Sequence, residues 1–292
     1  APNETRKIAS AGHRQLCAHR YTLLAVRAHV VNKCLSMQTE SVSHCGLLGA
    51  DDPPPVAVTG APAPIVLTVE HAGRQVPRRL ADMGLPKGEI DRHIGWDIGA
   101  LVLAHAMAER LPASIVAQRY SRIVIDANRP LAAEDLVPEV TDGTRVPGNM
   151  NLSPTDRLQR WDEIHRPFHE AVAERCETGA QALISVHTYD RRRGCDAEDR
   201  PWPVGLLWRQ DNPLAAHLAA SLGQEAAALP LGLNAPYCIE DSSDFTIPVH
   251  AEPRGLPHVL IEVRNDMVRE ATGVARFANL LARAILKLEW NL

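Results

Sequence analysis

Four apolar, β-rich runs in this chain end abruptly on charged or hydrogen-bonding residues: PIVLTVEH (64–71), SRIVIDANRP (121–130), QALISVH (181–187) and HVLIEVRND (258–266). Short runs of branched apolar residues read as buried strands. Between them lie stretches with apolar residues at helical spacing, including IGALVLAHAMAERL (98–111), NPLAAHLAASLGQEAAAL (212–229) and GVARFANLLARAILKLEW (273–290). Strands alternating with helices predict an α/β sheet with helices on its faces. In such sheets, ligands bind beyond the carboxyl ends of the strands. One acid at a strand end is usually a cap or an ion pair. Four ends carrying His, Glu, Asp, Asn and Arg point to a shared site.

The remaining elements follow from local signals. ASIVAQRYSRIVIDANRP predicts two short strands, around 114–118 and 122–126. The segment 153–179 is a helix with Ser153 or Thr155 as its cap, Gly179 past its end and a kink or break at Pro167. Asn212 caps the helix that follows the short strand VGLLWR (204–209). The Pro-rich lead-in DDPPPVAVTGAPAP (51–64) can be neither a helix nor a central strand. Residues 1–50 differ in composition, being polar, basic and rich in Cys, His, Ser and Ala. They read as an irregular extension or a start-site artefact upstream of Met37, and a single catalytic domain is expected over 51–292.

Composition excludes several classes. With 31 basic and 35 acidic residues, a net charge of −4 and 4% aromatics, no basic stripe or stacking platform points to nucleic acid. No apolar run approaches the ~18 residues of a membrane span. Six cysteines without a C-x-x-C pair read as free thiols, and hence a cytoplasmic protein.

The strand ends suggest a metal. His71 and His187 each stand just past a buried strand, and two imidazoles plus a carboxylate form a common catalytic zinc set with one position open. Asp97, in HIGWDIGA, is the carboxylate candidate, with a helix N-cap as its ordinary alternative. His93 is a weaker candidate. The pair His165 and His169, in HRPFH, has i, i+4 spacing but lacks the glutamate of zinc helices and has Pro167 between, so both are read as helix-surface or supporting residues. Glu262 ends an apolar strand, where burial raises its pKa and suits it to proton exchange. The alternative is an ion pair with Arg264 on the same face. Glu70 competes as the base but points away from His71 if the strand extends that far. Arg122, Arg129 and Arg264 stand near the same ends, with Asp126 and Asn128 to orient them. They predict a small anionic substrate, or else an internal ion-pair network.

Taken together, EHAGRQVP, HIGWDIGA, YSRIVIDANRP, SVHTYD, RPWPVGLLWR, NAPY and GLPHVLIEVRND resemble the N-formylglutamate amidohydrolase family, in the family's order and over roughly residues 50–288. The resemblance implies a three-layer α/β sandwich with a mixed, largely parallel sheet, of the zinc carboxypeptidase or amidase kind (phosphorylase/hydrolase-like). It implies one zinc ion per chain and cleavage of an N-acyl, typically N-formyl, amide of an amino acid. The layout also looks like that of zinc-dependent cell-wall amidases, which supports His71, Asp97 and His187 as ligands and Glu262 as base. Arg122 or Arg264 would then face the oxyanion, while Asn128, Arg129 and Arg264 are the candidates for the substrate carboxylate. The chain departs from the family at Thr188 and Tyr189, where relatives often carry Ser and Phe, and in the charged segment DRRRGCDAEDRP. Other N-acyl amino acids, a peptidoglycan fragment, or a non-catalytic carboxylate-binding role remain as alternatives. No organic cofactor is expected, because no Gly-rich phosphate loop follows a strand.

Overall fold

A computed structural model of the protein describes residues 46–194, 196, 198–210, 212–226 and 229–288. The expected extension up to residue 45, with Cys17, Cys34 and Cys45, lies outside the described residues, as does Cys195. Nine strands are described: β1 Val56–Thr59, β2 Ile65–Val69, β3 Ala113–Gln118, β4 Val140–Thr141, β5 Thr144–Arg145, β6 Ala182–Tyr189, β7 Val204–Leu207, β8 Leu231–Leu233 and β9 His258–Arg264. The helices are α1 Ala100–Ala108, α2 Pro154–Arg160, α3 Arg166–Glu177, α4 Pro213–Glu225 and α5 Ala271–Leu286.

Seven strands form one sheet in the order β1-β3-β2-β6-β9-β7-β8, and β4 pairs with β5 as a separate hairpin. The four central strands β3, β2, β6 and β9 are parallel, while β1 and β7 run antiparallel to their neighbours β3 and β9. The sheet is therefore mixed and largely parallel, as expected. The Pro-rich lead-in contributes only the edge strand β1, where missing N–H donors cost least.

Alternation along the central strands sorts their side chains. Ile65, Leu67, Val69, Ile184, Val186, Ile261 and Val263 pack with residues of α1, α4 and α5 in one core. Val66, Leu183 and Leu260 pack with Phe168 and Val172 of α3 on the other face. The amphipathic reading of the last helix holds: Val274, Phe277, Ala278, Leu281 and Ile285 are among its buried positions. By the same parity, Thr68, Ser185, His187 and Glu262 lie on the α3 face. That face, at the carboxyl ends of β2, β6 and β9, is where the site is built.

Both capping signals hold. Ser153 Oγ accepts the Asp156 N–H at 3.1 Å in a reciprocal capping box. Asn212 Oδ1 accepts from Leu214 N at 3.1 Å and Ala215 N at 3.4 Å. Pro167 produces no break. The turn before it widens into a π-helical segment, Trp161–His165, in which the Arg166 N–H reaches back to Trp161 O, and α3 continues from there.

One expected strand is absent. Residues 123–126 are buried, but 122–124 form a turn, with Val124 N donating to Ser121 O at 2.9 Å. Their polar backbone groups are met by side chains instead of a ladder. Asn149 Nδ2 donates to Ile123 O at 2.8 Å, and the buried Arg160 donates through Nη1 to Val124 O at 2.8 Å. A branched apolar run can fill a small core (Ile123, Val124 and Ile125 pack with Tyr120 and Leu136) without pairing in a sheet.

Gly205, opposite Glu262 in the β7–β9 pairing, is required by close approach. A Cβ there would lie 2.3 Å from Ala235 O and 3.3 Å from Glu262 Cβ. Gly205→Ala is expected to destabilise the protein by about 1–3 kcal/mol through overpacking, read as a lower urea midpoint with an unchanged slope.

Candidate metal centre and its cavity

His71 follows β2, Asp97 precedes α1, and His187 lies in β6. Their ligand atoms fall within 4.8 Å of one another, and all three residues are buried. The backbone ties the first two together, because Asp97 N donates to His71 O at 2.9 Å. Asp97 is not the side-chain cap of α1; Gly99 holds the N-cap position. The Asp97 carboxylate instead turns inward. Its Oδ2 lies 2.8 Å from His187 Nδ1 and 3.5 Å from His71 Nδ1. Arg122 Nη1 reaches its Oδ1 at 3.4 Å.

The outer nitrogens of both rings face other carboxylates. His71 Nε2 is 2.7 Å from Asp126 Oδ1. His187 Nε2 is 3.1 Å from Glu70 Oε2, a close ionic contact without good hydrogen-bond alignment. Glu70 is in turn fixed by Thr68 Oγ1 at 2.8 Å and Ser185 Oγ at 2.9 Å. Carboxylates behind imidazoles fix ring orientation and raise ligand basicity, as they do around metals. His71 Nδ1 is buried with no hydrogen-bond partner. The two Nδ1 atoms and Asp97 Oδ2 thus converge on one point from three elements.

The electrostatics agree. Burial works against charge on His187, but the Asp97 and Glu70 carboxylates at its two nitrogens raise its pKa well above the ordinary imidazole range. Burial also works against charge on Glu70, yet His187, Thr246 and Thr68 lower its pKa to about 2. Asp97 and Asp126 are likewise held well below the usual carboxylate range, against burial, with His71 the largest favourable charge for each. Without a metal, the raised pKa of His187 favours a proton there, beside this acidic cluster.

Glu262 stands beside His187 in the β6–β9 register. Burial pushes its pKa up to about 8, with His187 opposing and Asp97 reinforcing the shift. Its Oε2 is buried and unpartnered. The ion pair with Arg264, the alternative reading of Glu262, does not form. Arg264 bonds Asp266 through Nε at 2.8 Å and Nη2 at 3.3 Å.

A cavity of about 410 Å³ opens over these groups. His71, Asp97, His187, Glu262, Arg122, Asn128 and Arg129 all line it; Arg264 does not. Arg122 is clamped by Asp126, through Nε at 3.2 Å and Nη2 at 2.8 Å. Asn128 is engaged on both sides of its amide: Nδ2 donates to Asp244 at 2.9 Å, and Oδ1 accepts the N–H groups of Phe245 and Thr246 at 3.1 and 3.0 Å. Arg129 donates through Nε to Asp135 at 2.7 Å and through Nη1 to Ser243 O, which leaves Nη2 without a partner among the described residues. His93 lines the wall with Nδ1 3.6 Å from Asp97 Oδ1. Arg193 and Tyr237, also in the wall, were not singled out by sequence reasoning. Neither was the hold of Asp126 on His71. Tyr237 had a signal in NAPY, Arg193 lay in the charged segment DRRRGCDAEDRP, and Asp126 was placed beside the arginines but not behind His71.

Comparison with known proteins completes the description. Residues 63–269 match the family model for N-formylglutamate amidohydrolase. The chain belongs to the N-formylglutamate amidohydrolase family. One curated relative, an N-formylglutamate deformylase of Pseudomonas putida, is 26% identical over 208 residues, covering 68% of this chain and 69% of that protein. Another of the same name, from Pseudomonas aeruginosa, is 28% identical over 141 residues and covers 43% of this chain. The match spans about half of that relative's length, 52%. The crystal structure of the gene product Atu2144 from Agrobacterium tumefaciens superposes with a TM-score of 0.76 at 31% identity, covering 82% of this chain and 97% of the other. Family membership thus rests on a match that runs from β2 past β9 and includes every residue of the centre described above.

Proposed function

We propose that the protein is a zinc-dependent amidohydrolase, with one zinc per chain, that removes an N-acyl group from a small carboxylate-bearing amino acid. The N-formyl group of the substrate in its relatives' names is the first candidate. The observation that carries this reading is the convergence of His71 Nδ1, Asp97 Oδ2 and His187 Nδ1 at the floor of a cavity that also holds Glu262.

The donor set fits zinc. It offers two imidazole nitrogens and one carboxylate, an unpartnered buried ring nitrogen, and Asp126 and Glu70 to hold the rings from behind. A zinc ion there supplies a Lewis acid that acidifies water and polarises the acyl oxygen. The chain's own residues do the rest. Glu262 takes a proton from water at its free Oε2 and returns it to the departing amine nitrogen. Asp126 holds the Arg122 guanidinium by two nitrogens, and the third, with only a 3.4 Å contact to Asp97, faces the developing oxyanion. Arg129 receives the substrate carboxylate at Nη2, while Asn128 fixes the 244–246 wall. Arg264, tied to Asp266 away from the cavity, supports β9. The catalytic domain is assigned to residues 51–292. The unpaired thiols Cys176 and Cys238 fit a reducing cytosol. No helix among the described residues is long and apolar enough to cross a membrane.

A panel of N-formyl and N-acetyl amino acids and a muropeptide fragment, assayed for acid release with the zinc-loaded protein, tests the reading. Turnover of N-formyl amino acids supports it. Zinc binding with ligand affinity but no turnover of any member would make the protein a carboxylate-binding relative instead. Arg129→Met is expected to raise KM for the best substrate roughly 10- to 100-fold, the range for a hydrogen bond to a charged group, with kcat little changed. Arg264→Met is expected to leave KM within about twofold, since its guanidinium is engaged by Asp266 and does not line the cavity.

A further inference from the structure

Three imidazoles lie behind the cavity wall, and the chemistry above does not use them. His165 and His169 come from the HRPFH stretch, and His250 from the π-helical turn Ile247–Ala251. All three are buried, so of the two placements read for His165 and His169 the helix surface is excluded. They face inward because Phe245 packs against both helix rings, with centroids 5.1 Å from His165 and 4.5 Å from His169.

Their protons follow from their partners. His169 Nε2 lies 2.7 Å from Ala127 O. A carbonyl only accepts, so that nitrogen carries the hydrogen. His169 Nδ1 is then a lone pair, and His250 Nε2, 2.9 Å away, donates to it. His165 Nε2 donates to Arg129 O at 2.9 Å. The Nδ1 atoms of His165 and His250 have no partner, as bare lone pairs in a neutral ring. Burial favours neutrality, lowering the pKa of His165 and His250 to about 4 and that of His169 well below the ordinary value.

The two carbonyls held in this way flank Asn128. One residue before them Asp126 grips His71 and Arg122, and Arg129 itself stands in the cavity wall. Asn128 fixes the segment from the cavity side, and the imidazoles fix it from behind.

We propose that His169, backed by His250 and joined by His165, is a positioning residue that sets the Asp126–Arg129 segment, and through it the His71 ring and the Arg129 guanidinium. This rests on the reading of His71 and Arg129 given above. Its test compares His169→Gln, whose amide N–H can replace the donor to Ala127 O, with His169→Leu, which cannot.

Amide hydrogen exchange of the metal-free protein is the first readout. In His169→Leu the Asn128, Phe245 and Thr246 amides should exchange roughly tenfold faster or more, the effect of losing about 1.4 kcal/mol of local hydrogen bonding. The β6 and β9 amides should stay protected. KM should rise through Arg129, and kcat should fall through Asp126, which holds His71 and Arg122. His169→Gln should recover most of both losses. Unchanged exchange at those three amides in the leucine variant would overturn the proposal. If both variants fail to fold, the wild type decides: imidazole ¹⁵N shifts at pH 7 should show all three rings neutral and protonated at Nε2. An imidazolium or an Nδ1–H tautomer at any of them would overturn it. Because exchange and tautomers are read without metal, a wild type that binds no zinc would remove the metal reading and leave this one standing on its own data.

Discussion

His187→Ala is expected to abolish hydrolysis, lowering kcat/KM by more than roughly 10³-fold, because a Lewis acid worth several kcal/mol is lost with its ligand. The imidazole has two roles that fail together. Its Nδ1 is one of the three converging donors, and its raised pKa in the metal-free state favours a proton beside Asp97 and Glu70, at 2.8 and 3.1 Å. Removing the imidazole takes the nearest cationic partner from two buried carboxylates. Asp97 keeps only longer ionic contacts, to Arg122 and His71, and Glu70 only hydroxyl partners. The metal-free variant should therefore also be less stable than the metal-free wild type, by about 3–5 kcal/mol for a broken buried pair. The same geometry predicts a pH effect in the wild type. Against burial, Asp97 and Glu70 raise the His187 pKa well above the ordinary imidazole range, so metal loading is expected to release a proton. Zinc affinity should fall as pH falls, and loading in weak buffer should release protons, measurable by calorimetry in buffers of different ionisation enthalpy.

Glu262→Gln should lower kcat by roughly 10²- to 10⁴-fold, the usual range for a general acid–base group, while zinc stays bound. The isosteric amide keeps the packing beside Gly205 but cannot carry the proton. The sign of the stability effect is opposite to that of an ordinary ion-paired carboxylate. Burial raises the Glu262 pKa from 4.5 to about 8. Between those values the folded metal-free protein binds more protons than the unfolded chain. Stability from this group is therefore present below about 4.5 and lost as pH rises through about 8. Metal-free Glu262→Gln should lack this decline, as seen in denaturant midpoints across the interval. A variant whose midpoints track the wild type at every pH, with kcat retained, would show that Glu262 is not the proton carrier.

Much of the architecture was legible because it is periodic. Buried strands such as IVLTV and ALISV, the stripe of α5 and the caps Ser153 and Asn212 are local signals, and local signals survive folding. The candidate ligands were legible for a related reason: a His placed just past a buried strand has few ways to be satisfied. The misreading at 122–126 shows the limit. Branched apolar residues declare burial, not pairing, and here the distant Arg160 and Asn149 satisfy the backbone. The supporting shell was legible only in part: Asp126 and Asn128 could be placed beside the arginines, and His165 and His169 as supporting residues, but not what each of them holds. Nothing local to Glu70 tells that it backs His187, 117 positions on, across the β2–β6 pairing. Nor could spacing reveal that Arg264 spends its guanidinium on Asp266, or that HRPFH faces two carbonyls of the site loop. Such contacts are set by topology.

The most direct test of the central claim is zinc content, measured by elemental analysis on protein purified without a metal-affinity tag, for wild type and His187→Ala side by side. About one zinc per chain in the wild type and little in the variant is the result expected of a three-ligand catalytic site. A wild type that holds no zinc and takes up none when it is supplied, or a variant that holds as much as the wild type, would contradict a metal centre built from His71, Asp97 and His187.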